Sequence, residues 1–396
     1  MRNLKFVFVP VIQILFCGFH LKGQIPFDSL LNTSKVLKAV ASDPKKYHLQ
    51  ILYTQVSMEG SERTFSTFTY FPDPHAYLYC ASLVKLPVAV LVLQKLNELG
   101  IPPDYYLFSD SSESCQRSVR RDTSSASGYP SAEHYIKKML LVSDNDAYNR
   151  CFEFLGTDYI HNKLISEGYD SLRITNRYDL FCSAGKSRFT NPVRVCSKDL
   201  KVVYSQEPLP IDPRWKQSLW PVKVGNAYKD ENNKLVMRPR DFSSMNYFSL
   251  KDAHRFLTDL VFNAQEKFGL SMAQQQFLLR QMGLYPRQSQ SPRYNPRDFP
   301  DNYKKYLYFG DFKEPINDTN FVSTNCVGQS YGFLTDCMYF KDKKNGLEFL
   351  LSAGLYVNEN GIINDGKYEY NSLGLPFLAE LGRAVHALEL KRKQNH

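Results

Sequence analysis

Ser82-Leu83-Val84-Lys85-Leu86-Pro87-Val88-Ala89-Val90-Leu91-Val92-Leu93 is the stretch on which the reading of the whole chain turns. Its apolar run, closed by Gly100, predicts a helix from Ser82 to about Leu99 that lies buried at a domain centre. Residues three apart share one face of a helix, so Lys85 stands beside Ser82. A serine hydroxyl is a poor nucleophile at neutral pH and needs a base within hydrogen-bond reach, which a desolvated lysine amine can be. At the head of the helix the serine also gains the N-terminal field and can aim its own N–H at a substrate oxygen. Ser-x-x-Lys recurs at Ser42/Lys45 and Ser183/Lys186, but only Ser82 opens a long apolar helix. From this element alone, a nucleophile and a plain helix cap are equally good accounts of Ser82.

Working outward, Ser143-Asp144-Asn145 follows Ser82 by 61 residues and is the single S-D-N of the chain. It falls between two helical stretches, where a short loop can push the Ser and Asn side chains into a cleft. The ordinary alternative is again a cap. Ser131 to Gly168 predicts three helices broken near Ser143 and Gly156. Further helices are predicted over Ile25–Ala41, from Ser249 (capped by its own hydroxyl), over Ser271–Met282, and from about Leu373 to Leu390. Strand patterns occupy Tyr47–Tyr53 and Arg63–Tyr70, joined by a Gly-containing turn, and later Tyr331–Lys341 and Leu347–Val357. Strands at both ends with helices between them predict an α/β sandwich (α+β): one antiparallel sheet of N- and C-terminal strands packed on helices, with an all-helical middle region. Gln206–Met245 and Tyr285–Pro315 read as insertions, surface loops for most of their length, or else walls of a cleft.

S-x-x-K followed by S-D-N resembles the class A β-lactamases and related penicillin-recognising serine hydrolases, over roughly Ile25 to Leu390. The resemblance implies that Ser82 is the acyl-accepting nucleophile, Lys85 its activator and Ser143 the proton donor to the leaving nitrogen. Asn145 would hold the substrate amide. The family's loop with a general-base Glu corresponds to Asn176-Arg177-Tyr178-Asp179, 36 residues beyond Ser143, followed by Thr190-Asn191-Pro192. Asp179 would then activate the hydrolytic water from one methylene further away, or else serve only to pair with Arg177. The family's K-T-G strand corresponds to Cys326-Val327-Gly328-Gln329. Gly328 fits, Gln329 would lend its N–H to the oxyanion hole, and Cys326 puts a neutral thiol where the lysine belongs. A β-lactam, or a peptidoglycan-like peptide ending in a D-amino acid, is the implied substrate, with antibiotic resistance the implied setting. No cofactor or metal is implied. A cell-wall peptidase and a slow or non-catalytic penicillin binder are the alternatives.

A rival motif overlaps that strand: Gly328-Gln329-Ser330-Tyr331-Gly332 matches G-x-S-x-G, the nucleophile elbow, which must join a strand to a helix. The residues after it read as strand, which argues against Ser330. Neither H-E-x-x-H nor a phosphate-binding G-x-x-x-x-G-K-[ST] occurs.

The chain has 396 residues and a formal charge of +9, with Lys and Arg scattered among acids, a pattern that does not point to nucleic acid. Its start, Met1-Arg2-Asn3-Leu4-Lys5 followed by apolar Phe6–Gly18 and no acid before Asp28, predicts a secretory signal over residues 1–24. Cleavage near Gly23 or Gln24 is favoured over lipid attachment at Cys17. The remainder, 25–396, is then one exported domain, periplasmic or secreted, monomeric and without a stable membrane span. Of eight cysteines, seven follow Cys17, and none forms C-x-x-C or a zinc-ligand spacing with His. Which of them pair, if any, the sequence leaves open.

Overall fold

A computed structural model describes residues 27–114, 116–178, 188–216 and 221–394. The expected signal, Cys115, Asp179, Cys182 and the Ser183/Lys186 pair lie outside those residues. A helix apolar on every side can only be stable in an interior. α3 (Lys85–Leu99) is buried continuously from Lys85 to Leu96, and Gly100 ends it in the left-handed conformation, its N–H closing back on Leu96 and Asn97. Ser82 lies in a turn of 3-10 helix, Ala81–Val84, that leads into α3. Around α3 stand α4 (Ala132–Val142), α5 (Asn145–Leu155) and α6 (Thr157–Ser166). The breaks between them fall at Ser143 and Gly156, where the sequence puts them.

The main sheet is antiparallel and joins both ends of the chain. β1 (Gln50–Glu59) and β2 (Glu62–Tyr70) form one hairpin. β10 (Phe321–Ser330), β11 (Phe333–Asp342) and β12 (Leu347–Tyr356) form a meander, in the order β10-β11-β12-β1-β2. Side chains alternate across a strand, and here both faces are apolar. Leu52, Phe333, Cys337 and Leu350 join the core beneath α3 to α6 and α7 (Leu250–Phe262). Ile51, Tyr53, Leu334, Met338 and Phe349 join a second core with α1 (Phe27–Leu31), α2 (Lys35–Ala41) and α11 (Leu375–Gln394). The result is a helix–sheet–helix sandwich, the expected class. Ser34 caps α2, so the single N-terminal helix expected is two. Ser249 and Ser271 cap α7 and α9 (Met272–Gly283) as expected, with short α8 (Ala264–Phe268) between them.

Two expectations are corrected. The strand expected over Tyr331–Lys341 is β11, starting two residues later at Phe333, and a further strand, β10, precedes it from Phe321. Tyr331 (φ 54°) and Gly332 (φ 88°) are the two-residue turn between them, where both central residues need positive φ. That turn joins strand to strand, so Ser330 is no nucleophile elbow. The segment Tyr285–Pro315 is not mainly surface loop: Lys304, Lys305 and the start of α10 (Tyr306–Phe309) are buried, because Leu307 and Phe309 fill the second core. Gln206–Met245 is mostly exposed and holds small ladders. β6 (Lys223–Val224) pairs with β9 (Arg240–Asp241), and β7 (Ala227–Lys229) pairs with β8 (Leu235–Val236) and with β13 (Ile362–Ile363). Its far end reaches the β10–β11 turn, with Phe242 buried against Tyr79 and Tyr331, and Arg240 lying 4.7 Å from the Tyr331 ring. Also unforeseen is a three-stranded sheet of β3 (Tyr106–Ser109), β4 (Val193–Cys196) and β5 (Val202–Gln206).

Candidate active site

The local sequence turns Ser82 toward open space while burying everything around it. Ala81 adopts φ 43°, a left-handed conformation that a side chain disfavours by roughly 1–2 kcal/mol. It persists because neighbours fix it. The Tyr178 hydroxyl donates to the Ala81 carbonyl at 2.8 Å. Behind the turn, β10 comes so close at Gly328 that a Cβ there would sit 2.3 Å from the Cys80 carbonyl oxygen. Only glycine allows that approach.

Lys85, one turn on, is 1% exposed. Its Nζ lies 3.1 Å from Ser82 Oγ, 2.9 Å from Ser143 Oγ and 2.6 Å from Asn145 Oδ1, and it also donates to the Ser143 carbonyl. Ser143 and Asn145 reach it because the backbone reverses between α4 and α5. Ser143 ends α4 in the left-handed conformation (φ 60°, ψ 36°), and Asp144 starts α5 by accepting the Ala147 N–H at 2.8 Å. The triplet is therefore both a cap and a presenter of side chains: Asp144 caps, and its two neighbours face the lysine. Lys138 bridges Asp144 at 3.4 Å and Asp122 at 3.0 Å, which steadies the reversal from outside.

The wall opposite is the segment that ends at Tyr178. Arg177 is buried against fully buried Glu153 at 2.7 Å. Burial pushes the Glu153 carboxyl up, while Arg150 and Arg177 pull it back. Asn149 holds the Tyr178 backbone on both sides, donating to its carbonyl at 2.7 Å and accepting its N–H at 2.8 Å. Asn246 accepts the N–H groups of Thr175 and Asn176 and donates to the Tyr178 hydroxyl at 3.1 Å. The Tyr178 ring lies 5.5 Å from the Lys85 amine. Burial raises the Tyr178 phenol well above its usual value, so it stays protonated as a donor. Asp179, the next residue, lies outside the described residues.

On β10, Cys326 is buried with Sγ 3.6 Å from the Leu83 carbonyl, and burial pushes its thiol up to about 11. Cys80, Cys151, Cys196, Cys326 and Cys337 are all free thiols. The exposed side chain of Gln329 turns to the other side of the strand, accepting from the Tyr306 hydroxyl at 3.0 Å. Ser82, Lys85, Ser143 and Asn145 thus meet at one point, Gly328 lies directly behind it, and Gln329 offers the site only backbone. Tyr178, Asn149 and Asn246 carry no sequence signal of their own, although Tyr178 sits inside the quoted Asn176–Asp179 stretch. Chemically, the cluster is a hydroxyl and an amine in hydrogen-bond contact, with a second hydroxyl able to pass a proton.

A family model described as the β-lactamase enzyme family matches residues 33–328. Among solved structures, a β-lactamase from Chitinophaga pinensis DSM 2588 aligns with TM-score 0.50 and 13% identity, over 90% of this chain and 99% of that one. A point mutant of PBP-A, solved as its acyl-enzyme complex with penicillin G, aligns with TM-score 0.50 and 13% identity, over 93% and 100%. At such identity the likeness speaks for the fold alone. No curated protein matches the sequence.

Proposed function

Because the chain belongs to the β-lactamase enzyme family, we propose that it is a serine hydrolase acting on a strained lactam or a D-amino-acid amide through an acyl-enzyme at Ser82. The observation that carries this reading is the Lys85 amine, held at once within 3.1 Å of Ser82 Oγ and 2.9 Å of Ser143 Oγ. In the acylation step Ser82 Oγ bonds to the carbonyl carbon and its proton passes to Lys85 Nζ. The oxyanion rests on the N–H groups of Ser82 and Gln329. Ser143 then delivers a proton to the leaving nitrogen, the C–N bond breaks, and Lys85 reprotonates Ser143. Asn145, whose Oδ1 accepts from Lys85, turns its amide toward the substrate's acyl group. In deacylation Asp179 takes a proton from a water whose oxygen bonds to the acyl carbon, the Ser82 Oγ–C bond breaks, and the proton returns to Ser82 as the acid leaves.

A second reading, an acceptor that acylates and releases slowly as a cell-wall peptidase or penicillin binder would, is favoured by the neutral Cys326 thiol on β10. Intact mass of the exported protein with labelled penicillin G separates the two. Rapid decay of the adduct supports hydrolysis and a long-lived adduct supports the acceptor, whereas no adduct sinks both. Ser82→Ala abolishes the adduct. Asp179→Asn forms it but releases it about a hundredfold to ten-thousandfold more slowly, the usual worth of a general base. Equal release from the wild type and this variant removes Asp179 from the mechanism.

A further inference from the structure

Two consecutive lysines of the segment 285–315 send their amines inward. Lys304, 6% exposed, donates to the carbonyls of Leu140 at 2.9 Å and Met139 at 3.3 Å, in the last turn of α4. The Met139 carbonyl also receives the Ser143 N–H, at 3.1 Å. Lys304 and Ser143 therefore share one acceptor. Lys304 and Lys85 both pull the Cys326 thiol down against the larger upward push of burial, and burial in turn lowers Lys304 itself, which Cys326 and Asp336 oppose. Cys326 stands on the strand position where the family resemblance puts a lysine. A buried ammonium costs desolvation wherever it closes a helix end; what sets Lys304 apart is that one of its acceptors is also that of the Ser143 N–H.

We propose that Lys304 is a positioning residue for Ser143: from outside the motifs, it anchors the turn that presents Ser143 and supplies the positive charge that the strand lacks at Cys326. This rests on the reading of Ser82 and Ser143 as acylating machinery. Lys305 is the internal control. It is as deeply buried and closes a helix end in the same manner, donating to the Met282 carbonyl of α9 and to Ser323, both at 2.5 Å, with no bond to the α4 turn.

The test follows acylation by labelled penicillin G against concentration, with thermal unfolding in parallel. Lys304→Met lowers the limiting acylation rate constant about tenfold or more, as small misplacements of reacting groups do, and changes the half-saturating concentration little. Lys305→Met loses stability and acylates within about twofold of the wild type. Adding Cys326→Lys to Lys304→Met restores part of the lost rate, which a purely structural lysine gives no reason to expect. Should Lys304→Met fail to fold, Cys326→Lys alone still decides. With Lys304 already supplying the charge, that variant acylates no faster than the wild type, and a faster one overturns the proposal. Wild-type rates in a folded Lys304→Met, or no recovery in a folded double variant, overturn it too. No adduct on the wild type overturns the acyl-enzyme reading first, and this inference with it.

Discussion

The strained residue beside the nucleophile is held by one hydroxyl. Tyr178 donates to the Ala81 carbonyl and accepts from Asn246, which in turn gathers the N–H groups of Thr175 and Asn176. Tyr178→Phe keeps the ring beside Lys85 but takes away the hydroxyl that donates to the buried Ala81 carbonyl, while the Asn246 amide keeps Asn176 and Tyr148 as acceptors. An orphaned buried polar group costs about 1–3 kcal/mol, so the variant unfolds at lower temperature. It also acylates more slowly, because Ala81 is freed to relax out of its left-handed conformation and carry Ser82 with it. Thermal unfolding and adduct formation, measured together, check this. A variant that loses stability and keeps the wild-type acylation rate shows that the Ala81 geometry does not depend on Tyr178.

Between elements, β10 comes very close to the turn carrying Ser82. The Cys80 carbonyl accepts the Leu83 N–H at 3.0 Å to close that turn, and a methyl at position 328 would sit 2.3 Å from the same oxygen. Backbone on both sides cannot step aside as a flexible side chain does. Gly328→Ala therefore pushes the edge strand off the turn, lowering both the unfolding temperature and the acylation rate. A variant with wild-type values for both refutes the account. Which elements the sequence made legible follows from the range of their causes. α3 announced itself by an unbroken apolar run, and the α4–α5 reversal by a Ser-Asp-Asn that caps as it presents. β10 did not, because its buried Ser323, Thr324 and Asn325 break any alternation. Ser323 and Asn325 are satisfied by one another and from outside the strand: the Ser323 hydroxyl donates to Asn325 at 2.6 Å, Lys305 donates to the Ser323 carbonyl, and Asn325 donates to Asp336 at 2.8 Å. The lysines share a habit that no local pattern reveals. Lys95, Lys304 and Lys305 each lay a buried amine on the last carbonyls of a helix, α5, α4 and α9 respectively, where a cation meets the negative end of the helix dipole. Likewise Asn246 reaches the Tyr178 hydroxyl from 68 residues away in sequence, so only the fold brings it to the site.

Across the whole molecule, the sheet is tied to the helices over it by a histidine that cannot easily take up a proton. His254 of α7 is buried between the Thr54 hydroxyl of β1 at 2.7 Å and the Ser352 hydroxyl of β12 at 2.8 Å, and burial lowers it to about 4. His161, stacked on Trp215 with ring centroids 4.4 Å apart, is likewise lowered by burial to about 4. Free in an unfolded chain, each titrates near 6.5. Between about 4 and 6.5 the unfolded state binds more protons than the native one, so stability falls with falling pH. This contribution is fully present above about 6.5 and is lost progressively down to about 4. Each group is worth roughly 3 kcal/mol at the acid end of that window. Asp336 works in the opposite direction: burial raises it to about 7, so the native state holds its proton more firmly over much of the same range. The variant comparison isolates the histidine. His254→Gln can still accept from one hydroxyl and donate to the other, yet it takes up no proton. Chemical denaturation at pH 7.0 and 4.5 should then show a smaller acid loss for His254→Gln than for the wild type, by about 2 kcal/mol. Equal losses in the two proteins mean that His254 takes up its proton as readily in the native state as in the unfolded chain.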